Sequence, residues 1–298
     1  MGLQSDLLAW AERSRRDLPW RRTRDPWAVL VSELMLQQTQ VARVAPRWAD
    51  FLERFPTASD CAAASVGDVV RAWEGLGYNR RAVSLHRTAV TVVERHGARL
   101  PADLRALQAL PGVGPYVARA VLAFAFEEDV GVLDTNAARV LARAVAGRRL
   151  GTRAEAQAMA DSLVPASRGW VWNQAVLDLG ALVCTRRRPD CGRCPLARHG
   201  AGGRGSCRWD AAGRPEPDPV EGSAGVAGRQ TPFVGSDRQG RGRLVAALRR
   251  SPVPVTELPA AAGWSTIEDD QARARRIAGS LVADGLAVVG ADGCLRLP

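Results

Sequence analysis

Apolar residues recur every three to four positions along most of residues 1–200, the spacing that gives a helix one buried face. Stretches with this period cover 3–16, 27–44, 46–54, 66–74, 80–96, 102–109, 115–126, 135–146, 153–163 and 171–183. Pro, Gly or an Asp/Ser/Thr cap separates most of them. Strand-like alternation is scarce, so an all-α body is expected. The period fails over 208–230, where Gly213-Arg214-Pro215-Glu216-Pro217-Asp218-Pro219 reads as a linker. It returns at about 238–250 and 268–284 as two further helices. Residues 286–297 then offer two strand-like halves around Asp292-Gly293. Helices followed by a terminal β-hairpin predict a small winged-helix-like α/β unit over 231–298, an analogy of fold that implies no DNA contact.

Composition sets the compartment and the partner. At 298 residues there is room for two domains, or a two-lobed body with a small appendage. No apolar run approaches the roughly 18 residues of a membrane span, and Met1-Gly2-Leu3-Gln4-Ser5-Asp6 has no signal-peptide layout. The expectation is a cytoplasmic protein with no membrane partner. A net charge of +10 and a pI near 10.6 make a polyanion the natural partner, although an arginine-rich proteome alone would give some excess. All 41 basic residues are arginine. No lysine amine is therefore available as a nucleophile.

Three patterns carry chemistry. Cys184-x6-Cys191-x2-Cys194 is followed by Cys207, and clustered cysteines in a cytoplasmic chain are metal ligands more often than disulfides. Cys61 and Cys294 stand apart and read as small hydrophobes. Leu110-Pro111-Gly112-Val113-Gly114 lies between two helical stretches. Its glycines permit a tight turn with bare backbone N–H groups, and Pro115 opens a helix whose positive end favours phosphate. The plain alternative is an ordinary helical hairpin. Asp134 caps the stretch starting at Thr135, a role sufficient in itself, and capping would keep it ionised. Glu33, Gln37 and Gln40 fall on one face of the expected helix 27–44, either a solvated polar face or a buried acid. An ionised acid stabilises an oxocarbenium-like sugar, and a protonated carboxyl can assist departure of a purine.

These residues belong to a larger pattern. Leu18-Pro19-Trp20-Arg21, Ser32-Glu33-Leu34-Met35-Leu36-Gln37-Gln38-Thr39-Gln40, Gly75-Leu76-Gly77-Tyr78, the Leu110–Gly114 turn, Leu133-Asp134-Thr135-Asn136 and Asn173-Gln174-Ala175 resemble A/G-specific adenine DNA glycosylases of the MutY type. The resemblance covers roughly residues 6–215, and the run around Glu33 is its most specific piece. It implies an all-α, two-lobed helix–hairpin–helix glycosylase fold with an iron–sulfur cluster loop. The domain pattern is then 1–207 with the cluster loop at 184–207, a linker at 208–230 and the appendage at 231–298. The resemblance further implies that Glu33 protonates adenine and Asp134 stabilises the sugar cation, while Asn136 and Tyr116 support the sugar and a water. Gly112, Val113 and Gly114 would grip backbone phosphate. Gln38, Thr39, Leu76 and Tyr78 would fill the gap and contact the 8-oxoguanine strand, though Tyr78 could instead be a core aromatic. Trp20, Arg21, Leu36 and Gln174 would surround the extruded adenine. The implied partner is double-stranded DNA carrying adenine opposite 8-oxoguanine or guanine, bound by a monomer at the nucleoid.

Two departures from the family pattern stand out. A 4Fe–4S cluster is implied on Cys184, Cys191, Cys194 and a fourth cysteine after five intervening residues, but that position is Gly200. Cys207-Arg208-Trp209 resembles the closing segment, so an insertion in the loop is expected, with Cys207 as fourth ligand. Zinc on four cysteines, or on three with His199, is the alternative. The segment after the linker is also much shorter than the Nudix-like domain of many relatives and resembles actinobacterial members. Rival readings are an endonuclease III-like lyase on oxidised pyrimidines, which would need a lysine where Tyr116 stands, and a silent DNA-binding module without the two acids.

Overall fold

The computed structural model describes residues 2–198, 205–226, 232–265 and 267–298. In chain order the helices are α1 (Leu3–Ser14), α2 (Pro26–Leu36), α3 (Val41–Arg54), α4 (Ala58–Ala63), α5 (Val66–Ala72), α6 (Arg80–His96), α7 (Leu104–Gln108) and α8 (Pro115–Ala125). They continue as α9 (Thr135–Val140), α10 (Arg153–Ser162), α11 (Gly169–Leu182), α12 (Arg208–Ala211), α13 (Asp237–Arg250), α14 (Leu258–Ala262) and α15 (Glu268–Ala283). Three short strands, β1 (Val253–Pro254), β2 (Val288–Val289) and β3 (Cys294–Arg296), complete the list. The mainly helical fold expected from the periodicity is what forms. Two compact units divide the chain, one of residues 1–24 and 114–229 and one of 25–113 and 230–298.

In the first unit α11 is the central helix, and every residue from Trp172 to Gly180 is buried. α1 and α9 pack on it. Asp178 of α11 draws in the chain after α1: Arg21 meets both carboxylate oxygens at 2.7 and 2.8 Å, and Arg16 Nε lies at 2.6 Å. Burial pushes this carboxyl up, and hydrogen bonds from Arg21 and Arg16 outweigh it and hold Asp178 below the usual carboxylate range. A π-helical turn, 141–146, continues α9 and carries the buried Arg143. Arg143 Nε donates to Asp218 at 2.9 Å, and Leu150 N donates to Ser223 Oγ at 2.9 Å. Residues 208–226, inside the stretch that reads as a linker, therefore lie packed on this unit, with Val220 and Ser223 buried. Periodicity misses them because an ion pair and a hydroxyl hold them, and no apolar stripe is needed.

In the second unit the expected helix 27–44 is broken. α2 stops at Leu36, Gln38 takes a left-handed φ of 56°, and α3 begins at Val41 with Pro46 inside it. Gln37 and Gln40 thus cap two different helices and do not share a face with Glu33. The cause is Arg81, whose guanidinium takes the carbonyls of Leu34, Met35 and Gln37 at 2.6, 2.8 and 2.7 Å. The last carbonyls of α2 are satisfied from outside, so the helix has no need of a further turn. β3 pairs antiparallel with β2 in the register Val288↔Arg296, as the Asp-Gly turn implies. β1 pairs on the other side of β3, giving the order β1-β3-β2. β1 escapes notice in sequence because it is two residues long and half proline, which suits only an edge strand.

Candidate active site and cysteine cavity

The segment Val130–Leu133 delivers Asp134 to the first turn of α9. Asn173 on α11 fixes that segment: its Oδ1 accepts from Val132 N at 2.8 Å, and its Nδ2 donates to Val130 O at 2.8 Å. Asp134 Oδ1 then accepts from the N–H groups of Asn136 and Ala137, both at 2.7 Å, and Oδ2 accepts from Asn136 Nδ2 at 2.5 Å. Asp134 is therefore the cap that the sequence predicts. Its ionisation differs from the expectation. Protein atoms crowd the carboxyl although part of the residue's surface stays accessible, and this burial pushes its pKa above the usual carboxylate range. The helix N–H groups, Asn136 and the charge of Arg139 oppose that rise without cancelling it. A carboxylate that is costly to ionise gains strongly from any cation brought beside it.

Arg139 continues the hydrogen bonds outward from Asp134. Its Nη2 donates to Asn136 Oδ1 and to Gly180 O, both at 2.6 Å, and its Nε donates to Cys184 O at 3.1 Å. Gly180 makes this approach of α11 to α9 feasible, since a Cβ there would lie 2.5 Å from Asn136 O. Tyr116 sits half-buried in the first turn of α8. That helix starts at Pro115 with no side-chain cap on its N–H groups, as a phosphate grip requires. Gly112 is exposed with φ 77°, whereas Val113 is buried and packs the turn. Trp20 and Gln174 are buried in the first unit. The Arg21 guanidinium is bonded to Asp178, which orders the chain beside Trp20.

Glu33 lies in the second unit, buried on α2 at 4% exposure, with Leu36 half-buried one turn on. Buried position excludes the solvated-face reading of Glu33. Gln38 and Tyr78 are exposed and both have left-handed backbone, φ 56° and 45°. For non-glycine residues this conformation costs about 1 kcal/mol or more and persists only where neighbours impose it. Here the neighbour is Arg81, which donates to Thr39 Oγ1 at 3.0 Å, Leu76 O at 3.3 Å and Gly77 O at 3.0 Å besides the end of α2. Burial pushes its guanidinium down to about 10. Leu76 is 2% exposed, and its carbonyl accepts from Arg81 and Thr39. Arg81, Arg139 and Asp178 carry no local sequence signal for the contacts that tie them to distant segments, Arg81 to Leu34, Arg139 to Gly180 and Asp178 to Arg21.

Cys184, Cys191, Cys194 and Cys207 line one cavity in the first unit. None is in a disulfide. Cys207 N donates to Leu196 O at 2.8 Å, which returns the chain to the loop after the longer spacing. Residues 199–204, which include His199 and most of the expected insertion, lie outside the described residues. Burial pushes the Cys194 thiol up to about 12 and Cys207 to about 11, with Cys184 and Cys191 raised as well. Thiolates in this pocket need cationic metal beside them. Four thiols lining one cavity supply one ligand for each iron of a 4Fe–4S cluster.

Comparison with known proteins agrees with this geometry. HhH-GPD superfamily base excision DNA repair protein is the description that matches residues 31–166, and the iron–sulfur binding domain of endonuclease III matches 184–199. The chain is 44% identical over 296 residues to an adenine DNA glycosylase of Mycolicibacterium smegmatis, covering 98% of this chain and 94% of that one. Among solved structures, a thermostable thymine-DNA glycosylase superposes with a TM-score of 0.59 at 29% identity, covering 64% of this chain and 89% of that chain. A non-covalent endonuclease III–DNA complex gives a TM-score of 0.59 at 20% identity over 68% of this chain and 92% of that chain, a likeness of fold.

Proposed function

Because the chain belongs to the HhH-GPD superfamily of base excision DNA repair proteins and, within it, to the adenine DNA glycosylases, we propose that it hydrolyses the N-glycosidic bond of adenine mispaired with 8-oxoguanine or guanine, and performs no lyase step. It acts as a monomer on duplex DNA in the cytoplasm. The observation that supports the chemistry best is the Asp134–Asn136 arrangement at the head of α9, a carboxyl held on both oxygens yet costly to ionise alone.

The adenine must leave the stack before its bond can be reached. Glu33 donates a proton to a purine nitrogen, so that the electron pair of the breaking C1′–N bond departs on a neutral base. Asp134, ionised, stabilises the sugar cation left behind. Tyr116 and Asn136 hold the sugar and the water that adds to C1′, and the carboxylate left on Glu33 takes the proton this water loses. Cys184, Cys191, Cys194 and Cys207 hold the 4Fe–4S cluster, which supplies a rigid cross-link for the loop 184–207. Through Cys184 O and Arg139 that loop is hydrogen-bonded to Asn136. Gln38, Thr39 and Tyr78 contact the strand opposite the adenine. A lyase step would join an amine to C1′, and this chain has no lysine, while arginine stays protonated.

The test is a panel of duplexes carrying adenine opposite 8-oxoguanine, adenine opposite guanine, or thymine glycol. Alkali-revealed abasic sites should form on the first two only. Borohydride added during turnover should trap no protein–DNA adduct above background. Nicking before alkali with efficient trapping, or release of thymine glycol as the preferred base, would overturn the reading.

A further inference from the structure

The C-terminal residues 232–298 fold in the same compact unit as the Tyr78 loop and hold it from behind. Arg249, near the end of α13, reaches across 170 positions to donate from Nη2 to Asn79 Oδ1 at 2.8 Å. Its Nε donates to Val70 O on α5 at 3.0 Å. Asn79 is the N-cap of α6, a position where Asn ordinarily bonds a first-turn N–H, but it makes no capping bond here. Its side chain is given to Arg249 instead. Asp284, at the end of α15, lies 3.6 Å from Arg80 Nε and is itself held by Arg241 at 2.7 Å. Pro298 O accepts from Gly67 N at the start of α5 at 2.9 Å. At Gly285, whose φ is 74°, a Cβ would stand 2.9 Å from Arg87 Nη2, so the module lies close against α6 as well.

Tyr78 is therefore bracketed. On one side Arg81 fixes Leu76, Gly77 and the Tyr78 carbonyl. On the other, the next residue, Asn79, is fixed by Arg249. An exposed tyrosine with φ 45° keeps that conformation only while both flanks are held. We propose that the C-terminal module is a positioning element for the Tyr78 loop, with Arg249 as its positioning residue, so that it sets how sharply the enzyme distinguishes 8-oxoguanine from guanine without touching the lesion. The inference rests on the reading of Tyr78 as a contact to the strand opposite adenine.

The test uses the full chain with Arg249→Met, Arg249→Lys, Asn79→Ala and, as a control, Tyr78→Ala. Duplex affinity is measured with an uncleavable adenine analogue opposite 8-oxoguanine or guanine, alongside single-turnover base release at saturating enzyme and Tm. Arg249→Met and Asn79→Ala should each weaken the 8-oxoguanine duplex about tenfold, about 1.4 kcal/mol, and the guanine duplex less than about twofold. Arg249→Lys, which keeps a donor, should recover part of the loss. Asn79→Ala probes the same contact from its other end should Arg249→Met not fold. Equal losses on both duplexes that follow a fall in Tm would reduce Arg249 to a structural brace and overturn the proposal. Unchanged discrimination in folded Arg249→Met, while Tyr78→Ala loses it, would overturn the proposal and leave the loop reading standing. If Tyr78→Ala also discriminates normally, the loop reading itself falls, and this proposal with it.

Discussion

Asn136 meets both oxygens of Asp134, its backbone N–H on Oδ1 at 2.7 Å and its side-chain amide on Oδ2 at 2.5 Å. One residue thus fixes the plane of the carboxylate as well as its position. Arg139 holds the same amide from behind through Asn136 Oδ1. The cap and the carboxylate proposed to stabilise the sugar cation are the same group, and the capping bonds supply its orientation.

Asp134→Asn should lower single-turnover base release by at least about a hundredfold, the range expected when a group aimed at transition-state charge is removed. Duplex affinity should change little, since the proposed phosphate grip lies at the start of α8. Equal losses in binding and in base release would assign Asp134 to the fold alone.

Acidity gives a second check, with a sign that follows from burial. A carboxyl with a raised folded-state pKa binds its proton more tightly when folded. Its contribution to stability is full below the unfolded pKa and is lost as pH rises through the folded value. Ionised Asp134 therefore costs stability near neutrality, while the proposed mechanism of base release requires that ionised form. Activity should fall on the acid side at a pH above about 4, the ordinary carboxylate value. In the proposed mechanism Glu33 delivers a proton that an amide cannot, so Glu33→Gln should lower base release about a hundredfold. A Glu33→Gln rate equal to wild type would assign adenine protonation to another group.

Purified protein should be yellow-brown and carry about four irons per chain. Cys207→Ser should lose the cluster and most of its duplex binding, because the longer return to Cys207 still ends in the cavity beside the other three cysteines. Stoichiometric zinc without iron in anaerobically purified protein would overturn the ligand assignment.

Gly180→Ala puts the helix scale at odds with the tertiary structure. In an open helix interior the change would stabilise by about 1 kcal/mol. Here the new Cβ would lie 2.5 Å from Asn136 O and 2.7 Å from Asn136 Cβ, and backbone cannot step aside as a side-chain tip can. The expected outcome is a loss of about 1–3 kcal/mol, read as a fall of several degrees in Tm. Base release should fall further than that loss accounts for, since the Asp134–Asn136 pair must shift. A raised Tm with full activity would mean that α9 and α11 part without consequence.

The helical body, the cap at Asp134, the glycine turn before α8, the terminal hairpin and the cysteine spacing are all local or periodic features. Each is set by neighbours within a few positions, so the sequence alone determines them. The residue types also determine which chemistry is available, down to the absence of any lysine. Where α2 ends is different. The apolar period runs on past Leu36, and the helix stops because Arg81, 44 to 47 positions away, takes its last carbonyls. The same long reach commits Arg21 to Asp178, withdraws Leu76 from the surface, and turns Asn79 away from its helix toward Arg249. It also fixes the direction of the Asp134 pKa, for local capping favours the charge and only the packed surroundings decide that burial wins. A guanidinium can satisfy several distant carbonyls at once, and desolvation sums over everything nearby in space. Neither is written in any window of the sequence, and both are decided only when the chain has closed on itself.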